Sequence, residues 1–296
     1  PYMNVKTITR KHNAIFPATV VGRPPKEDMY LGMAATNIFA PLLKLVTPEI
    51  TDLWAYYESG FHNLLVLSID ERYPKNSVKA MMSVWGTGQL SLTKCIISVP
   101  SFVDPRDIKK VFGYLGANFN PEKDLMLLQT TPLDTLDFTS GKINVGSKIG
   151  LNAIGDGKII SEDNFEEIHI LDPRKKYNKI KEFRVINKNI IVINSDFDPK
   201  IISKEVLESG ILDNFKIVFI VGTDIRINDN VDLLWGIFTR FDPTLDINFK
   251  NRSVINSSVQ FSGTMVVDAT QKDWYPKVLE MSPDIVNKVK QNWKKY

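Results

Sequence analysis

What most constrains this chain is that it repeats itself. Laying Phe119-Asn120-Pro121-Glu122-Lys123-Asp124 on Phe241-Asp242-Pro243-Thr244-Leu245-Asp246 also pairs Asp107 with Asp229, Val99 with Val221 and Ser140-Gly141 with Ser262-Gly263. A gap of six residues then brings Asn152-Ala153-Ile154 onto Asp268-Ala269-Thr270. Any two strand-helix segments share a hydrophobic pattern. Pro, Asp and Gly matches falling at one offset point further, to a single unit built twice.

The unit itself reads as α/β. Four short runs are continuously apolar: Leu64-Leu65-Val66-Leu67-Ser68-Ile69, Lys94-Cys95-Ile96-Ile97-Ser98-Val99, Asn189-Ile190-Ile191-Val192-Ile193 and Ile217-Val218-Phe219-Ile220-Val221. A strand apolar on both faces is one covered by helices on both sides. Helical spacing lies between them. Val78, Met81, Met82 and Trp85 form one stripe, with Asn76 or Ser77 as its cap, and Ile108, Val111, Phe112 and Leu115 form another behind Asp107. Asp229 stands likewise before Leu233, Leu234, Ile237 and Phe238. The expectation is layered strand-helix units with an internal duplication, residues 1–157 as the first domain and 158–296 as the second. The charged stretch from Glu162 to Lys188, with its basic run Arg174-Lys175-Lys176, reads as a boundary. Ile285, Val286, Val289 and Trp293 then form the stripe of a C-terminal amphipathic helix capped by Ser282, packed on its own domain or on a neighbouring subunit.

Composition removes several functions. A net charge of +3 on 296 residues is too weak to wrap nucleic acid. The single cysteine, Cys95, excludes an internal disulfide and suits a reducing cytoplasm. His12, His62 and His169 are isolated, without the spacing of a metal site. The apolar runs Asn63 to Ile69 and Lys216 to Gly222 are far shorter than the roughly 20 residues a bilayer requires, so no membrane span is expected. Gly86-Thr87-Gly88 precedes a strand instead of following one, and Gly146-Ser147-Lys148 inverts the order of a phosphate loop; both read as backbone turns. Val21-Gly22-Arg23-Pro24-Pro25-Lys26-Glu27-Asp28 reads as a stiff elbow leading into a helix, with Arg23 holding a carboxylate or carbonyl.

Those motifs together resemble one family, the UbiD-type decarboxylases (3-octaprenyl-4-hydroxybenzoate carboxy-lyases). The matching residues are Ile15 to Asp28, Phe39-Ala40-Pro41 with Pro48-Glu49-Ile50, the Lys79 to Trp85 helix, Leu92-Thr93-Lys94 and Asp104-Pro105-Arg106-Asp107. Thr131 to Phe138 and Gly146 to Leu151 continue the series, and Leu234 to Pro243 with Asp268-Ala269-Thr270 extend it into the second copy. The resemblance implies the family's C-terminal-domain fold and the non-oxidative loss of carbon dioxide from an aromatic acid in quinone biosynthesis. The duplicated tail resembles the branch assigned to menaquinone synthesis by the futalosine route.

The resemblance also implies a prenylated FMN held with manganese and a monovalent cation, and a catalytic Glu-Arg-Glu set. In the family these are held by an N-terminal portion preceding the segment matched here. No catalytic, cofactor or metal residue is therefore assigned in this chain, which is expected to be inactive and free of flavin alone. Its expected partners are an aromatic acid, its own N-terminal flavin domain and further copies of itself. By position, Leu90, Leu92, Leu136 and Phe138 are the candidates for the apolar wall of the substrate pocket, with core packing as the alternative. A different class also fits: a stand-alone scaffold that kept this domain without the catalytic one.

Overall fold

All four apolar runs form strands buried along their whole length in the computed structural model, which describes residues 2–16, 19–155 and 172–295. In chain order the first half contains α1 (Asp28–Val46), β1 (Ile50–Ala55), β2 (Leu64–Ile69), α2 (Asn76–Trp85), β3 (Cys95–Pro100) and α3 (Ile108–Asn118). It closes with the single turn α4 (Pro121–Asp124), β4 (Leu125–Pro132) and β5 (Val145–Asn152). The second half contains β6 (Ile180–Asn187), β7 (Ile190–Ser195), α5 (Pro199–Ser209), β8 (Ile217–Val221) and α6 (Asn230–Phe238). It ends with β9 (Ile247–Ile255), β10 (Ser258–Ala269) and α7 (Pro283–Asn292).

Two five-stranded sheets result, ordered β1-β2-β3-β5-β4 and β6-β7-β8-β10-β9. The orders are the same, and so is the register. Cys95 pairs with Ile149 where Ile217 pairs with Met265, and Leu125 pairs with Leu151 where Ile247 pairs with Val267. In both sheets the three inner strands run parallel and the outer two are antiparallel, because a helix makes each inner crossover and a direct connection each outer one. The register corrects one detail of the sequence alignment. The six-residue difference falls in the connection after β4, so Ser140-Gly141 lies in that longer loop while Ser262-Gly263 lies within β10.

The sheets stack with α3 and α6 between them. Val66, Ile97 and Ile149 of the first sheet and Val192, Phe219 and Met265 of the second meet Phe112, Leu115, Leu234 and Phe238 in one continuous core. Alternate side chains point outward: Leu65, Leu67 and Ile96 onto Met81 and Val84 of α2, and Ile191, Ile193 and Ile220 onto Ile202 and Val206 of α5. The order of layers is helix, sheet, helices, sheet, helix, which is why these strands are apolar on both faces. The expected boundary at 157/158 lies outside the described residues. Arg174 and Lys175 form a short turn whose acceptor is Asp172.

Caps follow the repeat. Asp107 accepts the Lys110 N–H and Asp229 those of Val231 and Asp232. Neither Asn76 nor Ser77 caps α2, because the Asn76 amide is drawn to Glu49 and the Ser77 hydroxyl to Glu71. No side chain of α7 is fully buried, Val286 of its apolar stripe being half-buried, and Ser282 stands at its cap position without a side-chain bond.

The expectation of no bilayer-length segment needs correction at α1. Its 19 residues have a window of mean hydropathy 1.4, long and apolar enough by length and composition to cross a membrane. Polar Thr36, Asn37 and Lys44 divide its apolar residues in the sequence, which hid this. Leu43 is its one buried residue and joins the core under β1; Leu31, Ile38, Phe39, Leu42 and Leu45 are exposed.

Candidate functional site at the junction of the two units

A fully buried ammonium lies at the start of β3. Lys94 follows the turn Gly88–Leu92, its N–H bonds the His62 carbonyl at 2.7 Å, and its Nζ meets Asp137 Oδ2 at 2.8 Å in a pair with almost no solvent exposure. Burying two charges is tolerated only where partners replace water. Asp137 supplies its other oxygen to the N–H and hydroxyl of Thr139, at 2.9 and 2.5 Å, and the Phe241 ring lies 5.2 Å from the Lys94 ammonium. Asp137 belongs to the loop between Pro132 and Val145. Asp134 shapes that loop by accepting the Leu136 N–H at 2.8 Å, a side-chain turn of the kind aspartate favours.

Lys148 of β5 reaches the same place and donates to the Thr93 carbonyl at 3.0 Å. Burial brings its pKa down to about 8; Asp137 works against that shift and Lys94 adds to it. His62 lies 3.7 Å from Asp134, and burial holds its imidazole below the usual value despite that carboxylate.

The second unit closes this cluster. Asp242 accepts the Ser147 N–H at 3.1 Å and the Ser147 hydroxyl at 2.5 Å. A Cβ at Gly146 would stand 2.4 Å from Leu133 and 3.0 Å from Asp242, so glycine leaves room here for both side chains. Behind Asp242, Lys272 bridges Asp268 at 2.9 Å and Asp246 at 3.4 Å. Burial raises the Asp246 carboxyl to about 6 in spite of that lysine. Burial, then Asp137 and Asp246, push the Tyr275 phenol far up.

Of the four predicted wall residues, two present apolar surface. Leu136 is 69% and Phe138 38% exposed, on either side of the anchored Asp137. Leu90 packs on the Leu65, Met81 and Val84 cluster beneath α2, so core packing, the alternative reading, describes it better; Leu92 is half-buried just before Lys94. The Lys94–Asp137 pair thus ties the 88–92 turn to the Leu136–Phe138 loop. Cys95 is buried and its thiol is pushed up to about 12 by burial, as expected of core filler.

Sequence reading missed Lys94, Asp137 and Lys148 as a group. The available signal was a lysine adjoining an apolar run that forms an inner strand, where a charge needs a partner.

A second polar centre holds the elbow. Arg23 donates to Asp232 at 2.9 Å and to the carbonyl and carboxylate of Asp224 at 3.1 Å, and stacks on Trp235 at 4.7 Å. Arg240 stacks on the same indole at 4.8 Å and grips Asp224 at 2.9 and 2.7 Å. Burial opposes ionisation of Asp224, but the arginines hold its carboxyl below the ordinary value. Arg23 therefore holds both a carboxylate and a carbonyl.

Among the described residues no three His, Cys, Asp or Glu side chains converge as a metal site. Lys94 is committed to Asp137, and Gly146 to the seat of Asp242. The described residues thus do not fit a manganese ion.

Comparison with known proteins fixes the family. The sequence model of the 3-octaprenyl-4-hydroxybenzoate carboxy-lyase C-terminal domain matches residues 29–153 and 194–269, one stretch in each sheet. The chain belongs to that UbiD-type family. It is 30% identical over its whole length to 50% of a Chlamydia pneumoniae protein named as one of the subunits of 4-hydroxybenzoate decarboxylase. It is also 40% identical, over 52% of its length, to 32% of an uncharacterized protein of Archaeoglobus fulgidus. The vanillic acid decarboxylase of Sedimentibacter hydroxybenzoicus, solved in an open form, is similar over 52% of this chain and 32% of its own, at 24% identity and a TM-score of 0.42. The chain spans about half or less of the length of the curated relatives it matches.

Proposed function

We propose that this chain is the C-terminal, substrate-covering and assembly region of a non-oxidative aromatic acid decarboxylase. The observation that carries this reading is the family match in both units of a chain half as long as its full-length relatives. In the whole protein a prenylated FMN bound by the preceding portion would supply the electron sink that loss of carbon dioxide requires. This chain would contribute the exposed Leu136 and Phe138 as an apolar wall against the aromatic ring, held by the buried pair behind them. Burying ring area there would contribute roughly 25 cal/mol per Å². The assembly would be a cytoplasmic homo-oligomer.

The name of the Chlamydia pneumoniae relative makes 4-hydroxybenzoate the first acid to test. The likeness of the duplicated tail to the menaquinone branch makes a dihydroxynaphthoate the second. The test is the intact mass and visible spectrum of the full-length product, followed by carbon dioxide release from both acids. A flavin-coloured product of roughly twice this mass that decarboxylates one of them is expected. A colourless native product of 33.6 kDa would replace the reading with that of a scaffold.

A further inference from the structure

We propose that the extension after β10 positions the Leu136–Phe138 loop through Trp274, so that the second unit sets which acid the wall of the first accepts. This rests on the reading of Leu136 and Phe138 as the substrate wall.

The loop is bound at two depths. At its base Asp137 is fixed by Lys94, and the ring facing that ammonium, Phe241, comes from the second unit. At its rim the Trp274 indole N–H donates to the Phe138 carbonyl at 3.1 Å. The same carbonyl accepts the Gly141 N–H at 3.1 Å, so one oxygen closes the loop's final turn and receives the second unit's indole. Gly141 has φ +70°, and its Cβ position would lie 3.5–3.7 Å from the Trp274 indole, so the ring lies against the turn as well as bonding it.

The extension carrying Trp274 is itself held down. Lys272 binds Asp246 and Asp268, and the Tyr275 hydroxyl is buried, its ring centroid 6.4 Å from that of Trp274. Trp274 is therefore the exposed end of a strut anchored by Lys272 and Tyr275. The corresponding strands of the second unit, β9 and β10, are joined by a turn of only Asn256 and Ser257.

The experiment uses the full-length, flavin-loaded enzyme with Trp274→Phe, which keeps a ring and removes the donor, and Trp274→His, which keeps an N–H. Hydrogen exchange of the 134–141 segment and steady-state kinetics are both read. For Trp274→Phe, exchange at Thr139 and Gly141 is expected to quicken about tenfold, the equivalent of one lost hydrogen bond. KM for the acid should rise about fivefold with kcat within about twofold, the pattern of lost binding without lost chemistry. Trp274→His should recover most of both. Unchanged loop exchange in Trp274→Phe overturns the strut, whether or not the enzyme is active. Faster exchange with unchanged KM for every acid accepted shows instead that the loop is no substrate wall, which overturns that reading and this proposal with it. Should Trp274→Phe fail to fold, Trp274→His against Trp274→Leu, one with a donor and one without, gives the same comparison.

Discussion

The two units share a backbone and differ in what they bury. Asn120 and Asp242 begin equivalent turns: each accepts an N–H two residues on, and each N–H is bonded by the carboxylate four residues on, Asp124 or Asp246. Asn152 and Asp268 likewise each accept the N–H two residues ahead. These bonds go to main chain and specify the fold, so either residue type serves. Where the units meet, the chemistry departs. Lys94 is fully buried against Asp137, whereas its counterpart Lys216 is half-buried and donates to the Ala117 carbonyl at 3.1 Å. Trp235, clasped by two arginines, corresponds to Gly113, which lines an open cleft of about 750 Å³ between α3 and β6. A duplicated fold thus keeps its local polar bonds and diverges in the side chains of the junction.

The most forceful way to break this comparison is to unpair the buried charge. Asp137→Ala leaves the Lys94 ammonium without a counter-ion and should cost about 3–5 kcal/mol in urea unfolding, while Lys216→Ala in the other unit should cost about 1 kcal/mol. Lys94→Met combined with Asp137→Ala should recover much of the first loss. Equal costs at Asp137 and Lys216 would mean that the two lysines do the same work.

Next in size is the elbow. Arg23→Ala removes a stack on Trp235 and bonds to Asp232 and Asp224, for about 2 kcal/mol. Arg106 in the first unit also stacks on a tryptophan, Trp54, at 4.9 Å, but both it and its carboxylate partners are solvated. Arg106→Ala should therefore cost about 0.5 kcal/mol. Thermal unfolding of both variants decides whether burial of the acceptor, here Asp232, sets the difference.

What was legible in the sequence follows the same division. Four of the six inner strands, β2, β3, β7 and β8, were readable because residues buried on both faces must all be apolar, whereas Ser147 and Lys148 interrupt β5 and Ser262 and Thr264 interrupt β10. The edge strands β1, β4, β6 and β9 were not, since Asp52, Gln129, Lys181 and Arg252 interrupt them where one face or the edge is solvated. Repeat, caps and family were legible because they are local or ordered along the chain. The site was not: Lys94 and Asp137, or Ser147 and Asp242, meet only through packing, and Ser140-Gly141 matched Ser262-Gly263 although one pair is loop and the other strand. α1 escaped for a related reason, as its exposed apolar residues follow no single buried stripe.

A finer test grafts one unit's residue into the other. Asp242→Asn supplies what the first unit has at Asn120, so the turn bonds to Thr244 and Leu245 can persist. What is lost is the acceptor for the Ser147 N–H, and the bond from the Ser147 hydroxyl loses its charge, for an expected cost of about 1–2 kcal/mol by urea unfolding. A loss below the error of that measurement would show that the junction does not depend on this charge.

The smallest effect is the pH response of Asp246, and its sign is fixed by the structure. Its carboxyl is raised from 3.8 to about 6, first by burial, so the folded chain holds a proton that the unfolded chain has already released. Its contribution is fully present below about 4 and is lost as pH rises through 6. Other carboxylates respond oppositely: Asp224 and Glu49 are held low and favour the fold at higher pH. The comparison must therefore be made between wild type and Asp246→Asn, which keeps the shape and cannot ionise. Between pH 5 and pH 7 the wild type should lose about 1 kcal/mol relative to this variant in urea unfolding. If the two curves stay parallel, Lys272 neutralises Asp246 fully, and the strut beneath Trp274 does not loosen with pH.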